Sequence, residues 1–169
     1  LFNRAMMAYY PPGSTFKLVN ALIAQQESII TPSTVFPHSF VVGSKSVKCH
    51  PHPGGLSLEG AVQYSCNPYF CNAFRAFVDN RKFVTSENGY KIWRDYVLSF
   101  GVGRKIGVDL PHELEGNVPK VDFYDRYYGK GRWKASTIFS LGIGQGELGI
   151  TPLQMANIMC IIANKGYYY

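Results

Sequence analysis

Residues 11–23 read "PPGSTFKLVNALI". Two prolines and a glycine do not continue a helix, whereas Phe16, Val19, Leu22 and Ile23 then recur at helical spacing. A helix therefore begins near Ser14. Residues three apart on a helix share a face, so Lys17 can point its amine at the Ser14 hydroxyl. A serine hydroxyl is a poor nucleophile at neutral pH and needs a base beside it. Lysine serves as that base once burial or a neighbouring cation lowers its pKa. The helix N-terminus also favours negative charge developing on the attacking oxygen. Ser-x-x-Lys alone is a common string, equally compatible with an ordinary helix start.

A second motif gives the first its weight. In "YSCNPYF", residues 64–70, Ser65-Cys66-Asn67 has the form S-x-N. Asn67 followed by Pro68 reads as an N-cap with proline at the first helical position, which places the motif on a turn between two helices. S-x-x-K followed by an S-D-N-type motif and K-T-G is the signature of serine β-lactamases and penicillin-binding proteins. The chain resembles the transpeptidase domain of a class B penicillin-binding protein, most of all the elongation type that works with the rod-shape machinery. The resemblance is carried by "NRAMMAYYPPGSTFK", "SCNPYF", "FGVGRKIGVDLPHELEGNVP" and "LGIGQGELGITPLQMANIMCIIANKG", spread from residue 3 to residue 166.

The resemblance implies a serine transpeptidase, β-lactamase-like α/β fold. This chain would supply its helical part with one small hairpin, without most of the five-stranded sheet. It implies that Ser14 attacks the penultimate carbonyl of a D-Ala-D-Ala stem peptide, and that an amine from a neighbouring stem resolves the acyl-enzyme into a cross-link. Lys17 would be the base, Ser65 a proton relay, and Asn67 the side chain holding substrate amide and lysine. β-Lactams would acylate the same serine, and no cofactor is required. The implied partners are stem peptides and an elongation glycosyltransferase. The implied place is the periplasmic side of the bacterial inner membrane. One departure stands out: no Lys-Thr-Gly or Lys-Ser-Gly triplet occurs in the 169 residues. In the family that strand lies downstream of the last helix and carries one of the two oxyanion amides, so residues 1–169 read as a partial domain, inactive or nearly so.

Composition agrees with a single globular unit. A length of 169 residues suits one domain with a sizeable core. Seventeen basic against eleven acidic residues give a net charge of +6, compatible with an anionic polymer as well as with nucleic acid or a membrane surface. The densest basic stretch, "KVDFYDRYYGKGRWK" (120–134), also contains Asp122 and Asp125 and reads as a solvated, Tyr-rich loop, not a nucleic-acid patch. No apolar run approaches the roughly 20 residues that span a bilayer, and "LFNRAMMAYY" lacks a signal-peptide layout. The chain opens and closes abruptly, with strand-favouring tyrosines at 167–169, as a piece of a longer protein would. Apolar helix faces meant for a sheet would then favour self-association.

The remaining elements follow from local signals. "TVFPHSFVVGSKSVKC" suggests a hairpin about Gly43-Ser44. Ser57 caps a short helix to about Tyr64. Ser86-Glu87 opens a helix with Ile92, Tyr96, Val97 and Phe100 on its apolar face, ending at Gly101. Thr151-Pro152-Leu153-Gln154 is a capping box whose helix runs to about Lys165, with Gly166 as its stop. Gly144-x-Gly146-x-x-Gly149 imitates a dinucleotide fingerprint. However, the next helix has its own start at Thr151, and no acidic residue follows Glu147. These glycines read instead as a tight turn and close backbone packing.

Cys49, Cys66, Cys71 and Cys160 are too few for a disulfide scaffold. Cys49-x-x-His52 has metal-ligand spacing, with His38 across the hairpin and Cys66 inside S-x-N. Some elongation-type relatives carry a zinc site here, and His38, Cys49, His52 and Cys66 fall at or near its positions, a histidine standing at 38 for a carboxylate. A structural Zn2+, a Cys49–Cys66 disulfide and loop residues with no bond are the three readings. His50 reads as a surface residue, and Cys71 and Cys160 as core. Two other functions stay open: a class D-like β-lactamase or penicillin-sensing receptor, and a non-catalytic zinc-bearing interaction module.

Overall fold

A computed structural model describes residues 2–167. Tyr168 and Tyr169, most of the expected closing tyrosine strand, lie outside the described residues. Seven α-helices occur among these residues: α1 (Arg4–Met7), α2 (Lys17–Gln26), α3 (Leu58–Gln63), α4 (Asn67–Val78), α5 (Ser86–Ser99), α6 (Val121–Tyr128) and α7 (Pro152–Ala163). The strand pairing is the expected hairpin, β1 (Val41–Val42) against β2 (Lys45–Ser46), turning at Gly43-Ser44. The chain is thus mainly helical, with one small hairpin.

α2 and α4 form the centre. Phe16, Val19 and Ile23 are buried as the periodicity requires, while Leu22 is 41% exposed and does not belong to the core stripe. α4 buries nine of its twelve residues, Tyr69, Phe70, Phe74 and Phe77 among them. Against it lies a 3-10 segment, Phe139–Ile143. Gly142 makes that contact possible, because a β-carbon there would stand 2.8 Å from Phe74 Cβ and 2.9 Å from the Phe70 carbonyl.

One polar residue sits on the buried stripe of α2. Asn20 donates to the carbonyls of Leu141 (3.1 Å) and Gly142 (3.0 Å) and accepts from Trp93 Nε1 (2.7 Å). Its amide and carbonyl are thereby satisfied out of water, and two elements, the 139–143 segment and α5, are tied to α2. Trp93 packs edge-on against Phe16 and Phe74 and stacks with Tyr90.

Several elements depart from the sequence reading. The Tyr-rich stretch is not a solvated loop: it forms α6, which buries Tyr124, and Trp133 beyond it is 1% exposed with its Nε1 on Asp125 at 2.7 Å. Tyr124 also donates to Glu147 (3.1 Å). The aromatic spacing there serves a core, which charge density along the sequence hides. Ser14 lies in a 3-10 turn, Gly13–Phe16, that precedes α2. Cys66, not Asn67, is the N-cap of α4, and Thr85 caps α5 by accepting from Asn88 N. Ser57 holds the cap position of α3 without a side-chain cap bond. The capping box at Thr151 forms as expected, and α7 ends at Ala163. Cys71 is buried, but Cys160 is exposed and not core.

Glu27, at the end of α2, pairs with Lys82 and accepts from the Tyr96 hydroxyl at 2.6 Å. These bonds hold its carboxyl below the usual carboxylate range. Because the folded value is depressed, their contribution is present at neutral pH and is lost as pH falls through that value. With Lys82 half exposed, it should amount to about 0.2–1 kcal/mol. Glu27→Gln should lower the urea midpoint at pH 7, by a margin that shrinks as the pH falls through the acid range.

Candidate active site

Ser14 is placed by the turn that precedes α2. Gly13 adopts φ +60°, and its amide reaches the Gly144 carbonyl at 2.8 Å. Just upstream, Tyr10 and Ile150 exchange backbone hydrogen bonds at 3.0 and 2.9 Å, which pins the approach to Ser14 against the entry to α7. Ser14 itself is exposed, one helical turn from Lys17, which is 3% exposed.

The Lys17 amine is surrounded by the S-x-N loop. Nζ donates to the Ser65 carbonyl (2.7 Å), the Ser65 hydroxyl (2.9 Å) and Asn67 Oδ1 (2.7 Å). Three acceptors match the three N–H bonds of an ammonium. Burial holds the Lys17 pKa below its ordinary value, with the nearby cysteine sulfurs opposing the shift. A neutral amine keeps two N–H bonds and one lone pair, so deprotonation would reverse the Ser65 bond and make that hydroxyl the donor. The amine's hydrogen bonds go to Ser65 and Asn67, a loop 48 and 50 residues away, although Ser14 is only three residues upstream.

The position of Ser65 follows from the way α3 ends. Cys66 N bonds to the Ala61 carbonyl (2.9 Å) and Ser65 N to the Val62 carbonyl (3.1 Å), the paired closure that puts a left-handed residue just beyond the helix. Ser65 is that residue, with φ +49°. Glycine is the usual occupant, and a serine there carries strain of about 1 kcal/mol. Asn67 then opens α4 with its carbonyl oxygen on Lys17 and its amide on the Lys48 carbonyl (3.0 Å). Residues 34–48 are fastened alongside by Tyr69 to Thr34 O and Asn72 to Ser39 O, both 3.0 Å.

The four candidate metal ligands meet beside this loop. Donor atoms of His38, His52 and Cys66 lie within 4.8 Å of one another, and Cys49 Sγ is 3.4 Å from His52 Nε2. Cys66 Sγ is 3.8 Å from His38 Nδ1. His52 Nδ1 bonds to the Pro53 carbonyl at 2.7 Å, so it must carry the proton, leaving the Nε2 lone pair toward the sulfurs. That tautomer, with a carbonyl behind the ring, is how metal-ligating histidines are oriented. Burial raises the Cys66 thiol to about 11, so without a cation it stays protonated. All four cysteines are free, which removes the Cys49–Cys66 disulfide as a reading. His50 is exposed, as expected.

Two features of the site escaped the sequence reading. One is the Lys48 carbonyl, a backbone group without a signature. The other is Asn20, whose signal was available: a polar residue on the stripe between Phe16 and Ile23.

The penicillin binding protein transpeptidase domain family matches residues 1–169. The peptidoglycan D,D-transpeptidase MrdA of Acinetobacter baumannii is 32% identical over 98% of this chain and 24% of its own length. The crystal structure of Pseudomonas aeruginosa PBP2 in complex with WCK 5153 is 26% identical and superposes with a TM-score of 0.83, covering 99% of this chain and 35% of that one. A peptidoglycan synthase complex described as coordinating polymerization and crosslinking superposes with a TM-score of 0.78 at 25% identity, over 97% of this chain and 27% of that one. The chain belongs to the penicillin-binding protein transpeptidase domain family. It spans about a quarter of the length of the curated relatives it matches.

The cap geometry at Ser65 is testable apart from activity. Ser65→Gly and Ser65→Ala both lose the hydroxyl, but only glycine relieves the left-handed backbone. Ser65→Gly should be the more stable of the two by about 1 kcal/mol in urea unfolding.

Proposed function

We propose that the chain carries the acyl-serine half of a peptidoglycan D,D-transpeptidase of cell-wall elongation. The observation that carries this reading is the Lys17 amine: buried, one turn from Ser14, and within 2.9 Å of both Ser65 Oγ and Asn67 Oδ1. In the proposed reaction Ser14 Oγ bonds to the penultimate carbonyl of a D-Ala-D-Ala stem peptide and gives its proton to neutral Lys17. The tetrahedral intermediate expels D-alanine as the C–N bond breaks, and Ser65 passes a proton from Lys17 to the leaving nitrogen. An amine of a second stem then displaces Ser14 from the acyl group. Asn67 holds the lysine and faces the substrate amide. The chemistry uses no cofactor. β-Lactams present a strained carbonyl to the same serine.

The partners proposed are stem peptides and the glycosyltransferase of the elongation machinery, at the periplasmic face of the inner membrane. The similarity to a peptidoglycan synthase complex supports the glycosyltransferase. Among the described residues, no helix is long and apolar enough to cross a membrane. Residues 1–169 contain no Lys-Thr-Gly, so we assign the second oxyanion donor to residues outside this chain. A fluorescent penicillin should label Ser14 stoichiometrically in the complete protein and not in a Ser14→Ala variant. The isolated 169-residue chain should react more slowly by about 10²–10³-fold or more, the cost of one lost oxyanion donor. Rapid release of the label as hydrolysed penicillin would mark a β-lactamase instead. Unaltered growth with Ser14→Ala in the gene would mark a non-catalytic module.

Lys17 gives the reading a pH signature. Its neutral form does the chemistry, and its pKa lies below the ordinary lysine value. The acylation rate should therefore rise with pH and level off above that lowered pKa, at a lower pH than an unperturbed lysine would give. A rate that falls as pH rises, or that climbs only where an unperturbed lysine would titrate, would contradict the role of Lys17.

The second part of the proposal is a structural zinc held by His38, Cys49, His52 and Cys66. Two sulfurs and two imidazoles suit tetrahedral Zn2+. The metal would tie the hairpin segment to the loop bearing Ser65 and Asn67, taking no part in bond making. Tag-free protein should contain about one equivalent by elemental analysis. Less than a tenth would remove the metal.

A further inference from the structure

The glycine loop that imitates a dinucleotide fingerprint lies against the residue before Ser14. Gly13 donates its amide to the Gly144 carbonyl at 2.8 Å. The Gly13 carbonyl oxygen, in turn, fills the space into which a side chain at Gly144 would project. A β-carbon added to Gly144 would stand 2.1 Å from that oxygen and 2.8 Å from Phe16 Cβ. Gly144 itself has φ +69°, a left-handed backbone. One residue thus engages both peptide groups that flank Gly13.

The second of those groups joins Gly13 C=O to Ser14 N–H. It is planar and trans, so its oxygen and its N–H hydrogen point to opposite sides. Whatever fixes the direction of the Gly13 oxygen also fixes the direction of the Ser14 amide. That amide stands at the start of a helical turn, where N–H groups lack intrahelical partners and can meet an anion. We propose that Gly144 is a positioning residue, setting the plane of the Gly13–Ser14 peptide so that the Ser14 N–H faces the oxygen that becomes negative during acylation. The inference rests on the acyl-serine reading above and deepens it.

The loop has its own anchor on the nucleophile helix. Asn20 of α2 holds the Leu141 and Gly142 carbonyls, and Gly144 N closes the turn onto Leu141 O at 3.1 Å. Trp93 orients Asn20 from the other side. The base and the oxyanion amide are therefore indexed to one helix, Lys17 directly and Ser14 N–H by way of Asn20 and Gly144. Backbone amides aimed in advance at developing charge lower barriers most where they cannot reorient.

The test uses the complete gene product and a fluorescent penicillin, reading the second-order acylation rate constant, the final label amplitude and the melting temperature. Gly144→Ala should slow acylation by roughly 10²–10³-fold, the loss expected for one oxyanion donor, while the amplitude stays near one label per folded molecule. Gly89→Ala is the control. A β-carbon there meets the Val78 carbonyl at the same 2.1 Å, between α4 and α5 and away from Ser14. It should lower the melting temperature and leave the rate constant unchanged, which a merely structural role for Gly144 would not predict. Wild-type acylation by Gly144→Ala overturns the inference, as does equal slowing in Gly89→Ala. If Gly144→Ala does not fold, Asn20→Ser, which releases the Leu141 and Gly142 carbonyls, should slow acylation at full amplitude. A wild-type rate there overturns it equally. Absence of labelling in the wild type overturns the acyl-serine reading, and this inference with it.

Discussion

A buried ammonium has to be surrounded by acceptors, and the one on Lys17 draws its acceptors from another part of the chain. Leaving such a charge unpaired out of water costs several kcal/mol by common estimates, so the turn between α3 and α4 must close over the start of α2. That closure demands a left-handed Ser65, an Asn67 at the first position of α4, and a hairpin segment behind Asn67 to take its amide. The residues that solve the solvation of Lys17 are the ones proposed to move protons. Folding and the proposed chemistry would be met by the same hydrogen bonds.

The strain at Ser65 makes sense in that light. Glycine would close α3 more comfortably, but it has no hydroxyl to set beside the amine. The neighbouring residue is under a second demand, because Cys66 both caps α4 and presents its sulfur to His38. A metal there, as proposed, would stiffen the loop that also carries Ser65 and Asn67.

Close packing by glycine is the other organising device. At 142 and 144 a β-carbon would strike backbone or core atoms, and at 149 it would strike the Tyr9 ring. These contacts bring the 139–150 segment onto α4, onto Gly13 and onto the approach to Ser14. The same spacing in the sequence suggests phosphate binding, and only the path of the chain separates the two readings: α7 starts from its own capping box at Thr151, leaving the glycines to face protein and not a ligand.

Much of this was legible along the chain. Prolines, caps and apolar spacing mark α2, α4, α5 and α7, since those signals act within a few residues. The pairing of S-x-x-K with S-x-N, and the cluster of His38, Cys49, His52 and Cys66, were legible because chemistry restricts residue type at each position. The Tyr-rich α6 was not, because its sequence carries the charge of a solvated loop while Tyr124 and Trp133 point inward to a core formed by distant residues. Cys160 was misplaced for the converse reason: an apolar neighbourhood along the helix says nothing about which side of α7 is covered. By itself the sequence determined which groups could react and where helices begin. The tertiary structure decided that the Lys17 amine turns to Ser65 and Asn67, and that Gly144 sits against Gly13, because contacts across 48 and 131 residues depend on how separate elements pack and not on any local preference.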